Sequence, residues 1–428
     1  MNLATGYYQA RRLRKIKIDN WPTAQWNVTS ITSLFDGCHS LEKIDLSSWN
    51  TANWHVASMS ELFRNCYKAK EILAPFNTVN WGNGTGRTIS FANLFICCFS
   101  VERLDLSMWD VSGLNVTNLG STWNSCYHLK SLKISNWNTS NWVLTNLSYT
   151  WASCHVLVDI DLSNWVTSNW KVTTLASTWG TNYKRRNFND IKNWDTSLWA
   201  VTTMANTFDS CFKIQELDLR NWDTSNWKVT SLYYTWNSCR SMRSLKVGNW
   251  DTSQWTVTNL QDTWSSCYNL EDQTFFNWDT SNWAVTTMYQ TFYYCQKFEE
   301  VDLTQWSGVS SWALTTIAYM LGYNKSLKKV NISNLNLTNV PLDNYGSNAT
   351  TYTIVYECYN LEELKLPATF KGHLNLRYCW CMPRTEIVRI FNALPNALTN
   401  AKINIIDIKY KLTSADVAIA SGKGYNVI

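Results

Sequence analysis

The sequence predicts an α/β repeat solenoid built from coils of 28 residues, and three observations predict it. Cysteine returns at Cys38, Cys66, Cys98, Cys126, Cys154, Cys211, Cys239, Cys267 and Cys295, mostly in steps of 28. Tryptophan fills fixed columns in the same frame. A 428-residue chain that built one globular core would be expected to split into domains, whereas stacked coils have no such size limit.

Two departures from the period have local explanations. The step of 32 from Cys66 to Cys98 carries its surplus in the Gly-rich stretch WGNGTGRT beginning at Trp81, where a loop insertion costs little. Asn182 fills the slot between Cys154 and Cys211, and its unit holds one extra residue, which accounts for the following step of 29.

In chain order, residues 1–12 are polar and basic and read as a separate segment suited to attachment. Residues 13–366 hold about twelve repeats, and residues 367–428 form a capping segment of different composition. The clearest unit is LDLRNWDTSNWKVTSLYYTWNSCRSMRS, from Leu217 to Ser244. Leu217 and Leu219 alternate with Asp218, which predicts a short strand with both leucines on one face. The Trp-Asp-Thr-Ser-Asn-Trp run predicts a turn, since Asp, Ser and Asn side chains bond their own backbone. Val229, Leu232, Trp236 and Cys239 are spaced three, four and three apart, which predicts one face of a short helix. One coil cannot bury this face alone, so identical residues of neighbouring coils must form ladders.

Composition excludes several classes of protein. With 45% hydrophobic and 16% charged residues the chain has enough apolar surface to fold, and a net charge of +5 makes no case for nucleic acid or a membrane surface. The basic clusters at Arg11, Arg12, Arg14, Lys15 and Lys17 and at Lys184, Arg185 and Arg186 read as solvated faces. The first residues lack the apolar run of a secretory signal, and no stretch reaches the length of a membrane span. On this reading the protein stays where it is made or leaves as part of an assembly. One cysteine per repeat is a packing position, so the thiols are expected to be reduced.

Tryptophan occupies three columns that account for 25 of the 26 residues, leaving only Trp380 outside. The first column includes Trp137, Trp165, Trp194 and Trp222, and the third includes Trp123, Trp151, Trp179, Trp236 and Trp264. The second column, Trp142, Trp170, Trp199, Trp227, Trp255 and Trp283, is the candidate binding site, because a ladder of exposed indoles offers a ribbon for stacking on sugars or aromatic groups. The competing reading packs these indoles together and widens the core. A further stripe follows the cysteine, at Tyr67, Phe99, Tyr127, His155, Tyr183, Phe212 and Tyr268, and reads chiefly as cover for the core edge.

Other chemistry is poorly supported. Cys358, His373, Cys379 and Cys381 have zinc-ligand side chains, but Cys379 and Cys381 lack the spacing of structural sites. His39, His55, His128, His155 and His373 are scattered, with no Gly-rich nucleophile turn or phosphate loop. Asp223, Asp251 and Asp279 occupy one turn position and read as turn formers. N-glycosylation patterns such as Asn27-Val28-Thr29 arise from the repeat's own composition. No catalytic residue, metal or cofactor is expected.

The pattern L-x-L-S-N-W-D-T-S-N followed by V-T-x-L-x-x-T-W-x-S-C resembles the BspA-like leucine-rich repeats of gut bacteria, mycoplasmas and their phages, over residues from about 13 to 366. Leu412-Thr413-Ser414-Ala415-Asp416 and Gly422-Lys423-Gly424-Tyr425 resemble the end-cap that follows such repeats. One departure stands out: Trp227 and Lys228 intervene between the Ser-Asn turn and Val229, and an added column is expected on the outside of the coil. The resemblance implies a non-enzymatic role in adhesion and binding at surfaces. A phage virion component, a tail or head fibre or receptor-binding protein assembled in the host cytoplasm, fits best. Its partners would be a host-surface protein or glycan, other virion proteins or further copies of itself, with neither nucleic acid nor membrane insertion involved. A bacterial cell-surface or secreted adhesin and an intracellular protein-interaction scaffold are the alternatives.

Overall fold

A computed structural model describes residues 1–19, 21–82, 86–342 and 353–428, so residues 83–85 of the Gly-rich insertion lie outside the described residues. The chain forms two compact units, Met1–Trp227 and Lys228–Ile428. Each is a parallel β-solenoid.

The first unit has strands β1 (Lys43–Asp45), β2 (Glu71–Leu73), β3 (Thr88–Ser90), β4 (Arg103–Asp105), β5 (Asn115–Asn118), β6 (Ser131–Lys133) and β7 (Glu216–Asp218). Pairing is parallel and in register: Ile44 of β1 lies opposite Ile72 of β2, and Leu104 of β4 opposite Leu132 of β6. The middle residue of each of these strands points inward, as the period-two pattern predicts. A second side of the coil is joined by β3 with β5 and by single bridges, Asn118 to Asn146 to Thr174 to Thr203.

The predicted helix does not form. Among the described residues, α-helix occurs only at α1 (Arg384–Ala393) and α2 (Ser414–Ser421), both in the C-terminal segment. In its place each coil runs through successive tight turns. Amides of Ser121, Trp123 and Ser125 donate to carbonyls of Ser148, Thr150 and Ala152 in the next coil, at 2.9, 3.0 and 2.8 Å. Between them, Thr122, Asn124 and Cys126 donate to carbonyls three residues back in their own coil, at 3.0, 3.3 and 3.2 Å. Two residues per coil, four apart, are left-handed, as at Ser121 (φ 57°) and Ser125 (φ 62°). Repeated four-residue turns place apolar side chains at nearly the helical spacing, and the adjacent coil satisfies amides that a helix would satisfy internally.

Residues 1–12 are not a detached segment. Leu3, Thr5, Tyr7 and Gln9 donate to carbonyls of Ser30, Thr32, Leu34 and Asp36 at 3.0, 3.1, 2.9 and 2.7 Å, and the Tyr7 ring stacks on Phe35 at 5.4 Å. They form the turn side of the first coil, with Tyr7 in the third aromatic column.

Buried polar ladders hold the turns. Cys66, Cys126 and Cys154 thiols donate to carbonyls of Phe35, Phe95 and Trp123 in the preceding coil, at 3.2, 3.3 and 3.1 Å. Thr150 and Thr178 hydroxyls do the same to Leu119 and Leu147, each at 3.0 Å. Asn182, in the cysteine slot, donates from Nδ2 to Trp151 and Trp179 carbonyls at 2.8 and 2.7 Å. The turn aspartates act as turn formers: Asp223 accepts from the Ser225 amide at 2.9 Å and its hydroxyl at 2.6 Å.

The second unit begins with β8 (Ser244–Lys246) and contains a three-stranded parallel sheet of β9 (Glu300–Asp302), β10 (Lys329–Asn331) and β11 (Glu363–Lys365), in the order β11-β10-β9. Val301, Val330 and Leu364 form its inward row. The C-terminal segment adds β12 (Leu374–Asn375), β13 (Lys402–Asn404) and β14 (Asn426–Val427), which pair in parallel. Thr413 caps α2 through a reciprocal box with Asp416. Arg384 of α1 reaches Asp416 at 2.8 and 2.9 Å and, with the Thr413 amide, draws that carboxyl down to about 2.

Candidate binding surface

The second tryptophan column is core. Trp142, Trp170, Trp199, Trp227 and Trp255 are 0% exposed and Trp283 is 3% exposed, which overturns the exposed ladder expected of them. The Trp-Asp-Thr-Ser-Asn turn bends the chain far enough to swing this indole inward, where it meets the first column edge to face. Trp170 lies 5.8 Å from Trp165 and 5.6 Å from Trp194, with ring planes near 60° to both. Within each column the rings are nearly parallel, 6.1 Å apart from Trp142 to Trp170 and from Trp170 to Trp199. Several first-column indoles donate to the preceding coil, as Trp137 does to the Leu106 carbonyl at 3.1 Å and Trp222 to that of Ile191 at 3.0 Å. Buried Trp142, Trp170 and Trp199 indole nitrogens have no oxygen acceptor, and edge-to-face packing on neighbouring rings replaces it.

The stripe after the cysteine is a stack of rings. In the first unit His39, Tyr67, Phe99, Tyr127, His155, Tyr183 and Phe212 follow one another with centroids 4.3, 4.7, 4.8, 4.8, 4.4 and 4.8 Å apart. Each ring is half-buried, its faces covered by its neighbours and its rim left to solvent. Such a stack covers the core edge and leaves interior faces unavailable for ligand stacking.

The second unit presents a different surface. Tyr294 stacks on Tyr323 at 4.5 Å, Tyr323 meets Tyr356 edge-on at 5.3 Å, and Tyr356 meets Tyr378 at 6.0 Å. Tyr359 stacks on Trp380 at 5.1 Å, and Tyr378 stands edge-on to Trp380 at 5.9 Å. Trp380 is 51% exposed, whereas every column tryptophan except the half-buried Trp21 and Trp26 is buried. Arg377 lies over the Tyr378 ring at 4.7 Å, held by Asp407 at 2.8 Å. Tyr359 donates its hydroxyl to Glu357 at 2.7 Å; this bond and burial push its pKa up to about 12, and burial does the same for Tyr356. Both hydroxyls stay protonated as hydrogen-bond donors.

Tyr319, Tyr323 and Tyr378 are left-handed at φ 61°, 63° and 65°, a conformation that costs a bulky residue and that Tyr149, Tyr234 and Tyr294 also adopt. Sequence reasoning passed over these tyrosines because they sit beside, not in, the repeated aromatic columns. The available signal was Trp380, outside the three tryptophan columns but directly after Cys379, as Tyr359 is directly after Cys358, in the stripe that follows the cysteine.

Among the described residues no group of three or more His, Cys, Asp or Glu side chains could hold a metal ion. The Cys358 thiol donates to the Leu321 carbonyl at 3.1 Å, and His373 Nδ1 accepts from the Lys402 amide at 3.1 Å, so two of the four zinc-type side chains face backbone partners. Burial pushes Cys38 up to about 11 and Cys154, Cys211, Cys267 and Cys358 up to about 12, keeping these thiols protonated and inert. No helix of the described residues is long and apolar enough to cross a membrane.

The family described as Mycoplasma protein of unknown function, DUF285, matches residues 1–86, 89–179, 145–256, 173–306 and 230–351. No curated protein matches the chain. Among solved structures, a leucine-rich repeat protein from Bacteroides ovatus is similar at 11% identity, over 99% of this chain and 86% of that one, with a TM-score of 0.31. An internalin (inlF) from Listeria monocytogenes is similar at 11% identity over 94% and 84%, with a TM-score of 0.24.

Proposed function

We propose that this chain, which belongs to the DUF285 family of Mycoplasma proteins of unknown function, is a recognition solenoid that grips a protein partner through the Tyr323-Tyr378-Tyr359-Trp380 surface. One observation carries the reading: the repeat buries nearly all its indoles, and the exposed one stands in a tyrosine field beside a stacked arginine. Trp, Tyr and Arg are the residue types that carry binding energy at protein interfaces, because they bury large area at small entropic cost. The setting we propose is a virion, where the solenoid is a fibre or receptor-binding component that meets a host-surface protein.

The test uses the full chain, fluorescently labelled, on intact mycoplasma cells. Binding should be lost after protease treatment of the cells and should survive periodate oxidation of their glycans. Trp380→Ala with Tyr359→Ala should reduce binding at least tenfold, about 1.4 kcal/mol, without lowering the melting temperature by more than a few degrees. Loss on periodate alone would reassign the partner as a glycan. Mass spectrometry of purified virions against host membrane and cytosolic fractions tests the setting: recovery in membranes favours the surface adhesin, and in cytosol the intracellular scaffold.

A further inference from the structure

One coil of the first unit breaks the repeat three times. Asn182 replaces cysteine, and one residue is inserted before Trp194. Three positions after the cysteine slot, neighbouring coils carry Leu129, Leu157 and Ile214, all 0% exposed; here the residue is Arg185, itself only 4% exposed. Six positions after that slot, where Leu104, Leu132 and Leu217 point inward, Phe188 keeps the inward place at 2% exposed, and the extra residue follows it. No strand forms over residues 186–191, and the ladder that passes from Ser131 to Asp159 is interrupted.

A groove of about 680 Å³ opens at the interruption. Ile160, Asp161 and Ser163 line it from one coil, and Lys184, Arg185 and Arg186 from the next. That volume suits a small ligand. Arg185 Nη2 donates to both Asp190 oxygens at 2.5 and 2.6 Å, and Nε donates to the Asn187 carbonyl at 3.0 Å. The guanidinium rests on the Phe188 ring at 4.2 Å. Its Nη1 is buried with no hydrogen-bond partner. A buried ion pair in an apolar column is poor material for stability, and an orphaned charged donor makes it poorer. Such local breaches of a repeat's own rules are where binding sites are found. Lys184 and Arg186 are exposed and leave the groove with more positive than negative charge.

We propose that this groove binds an acidic sugar. Its carboxylate or phosphate is seated by Lys184 and Arg186, with the Arg185 guanidinium turning its buried Nη1 outward to join them, and its hydroxyls donate to Asp161 and Ser163. The site is separate from the tyrosine surface and does not depend on it.

Calorimetric titration of the full chain with galacturonate, glucose 6-phosphate, their neutral parent sugars and inorganic phosphate tests the site. At least one acidic sugar should bind, with the neutral parents and free phosphate at least tenfold weaker. Arg186→Ala, at an exposed position, should weaken that binding at least tenfold. Arg185→Leu with Asp190→Asn restores an apolar column residue and should abolish binding while leaving the melting temperature unchanged or raised. Equal binding of neutral sugars or free phosphate, binding untouched by either variant, or no heat from any acidic sugar overturns the proposal.

Discussion

Trp170 touches four other indoles, Trp142, Trp165, Trp194 and Trp199, at 5.6–6.1 Å, and none of its surface reaches water. Trp170→Ala should therefore cost about 3–5 kcal/mol in denaturant unfolding, the range for emptying a large aromatic site in a packed core. A loss under about 1 kcal/mol would mean that the column is not core. Asn182 invites the opposite change. Its Nδ2 reproduces the cysteine's contact, but its Oδ1 is buried without a partner. Asn182→Cys should raise stability by about 1 kcal/mol, the penalty of the orphaned oxygen, read as a higher unfolding midpoint. That the cysteines pack inside the coil was legible, because one per coil at a fixed place in the frame marks a core position. Which way the second tryptophan faces was not: the bend of the intervening turn decides it, and residue identities in that turn leave both directions open.

At the scale of the element, the tight-turn side and the helix expected there respond differently to one change. Ser153 is left-handed at φ 57°, and Ser153→Val forces a β-branched residue into that region, for a loss of about 1–2 kcal/mol. In an exposed helix the same change would cost only a few tenths. The three-four-three apolar spacing was read correctly as one inward face; the alternation of inter-coil and intra-coil amide bonds has no counterpart in hydrophobic pattern. The cysteine ladder adds an alkaline limit. Burial raises the folded thiols above their ordinary range, so on going alkaline the unfolded chain sheds these protons first. Stability should be intact below about pH 8.5, then fall between that value and the folded values near 12, by up to about 1.4 kcal/mol per pH unit for each thiol. Urea midpoints measured from pH 7 to 10.5 check this, and a flat profile would contradict the burial of the ladder.

For the molecule as a whole, the repeat makes neighbouring coils of one unit nearly interchangeable. Excising residues 127–154 joins Cys126 to His155, each in its usual place in the frame. The shortened chain should still unfold cooperatively, at a lower midpoint, because stacked repeats contribute their stability coil by coil. The period and the inward strand residues were legible in the sequence, each resting on a pattern repeated many times. The bonding of residues 3–9 to the next coil was not legible, because their polar composition carries neither the cysteine nor the tryptophans of the frame, and the tyrosine field was missed because a surface is assembled from positions that the repeat leaves variable. The stacked tryptophan columns also fix an optical property. Light absorbed by any one buried indole will pass among neighbours only 6 Å away, so the emission should be blue-shifted and strongly depolarised even in a frozen glass. Trp380, together with the half-buried Trp21 and Trp26, should remain open to a water-borne quencher such as iodide.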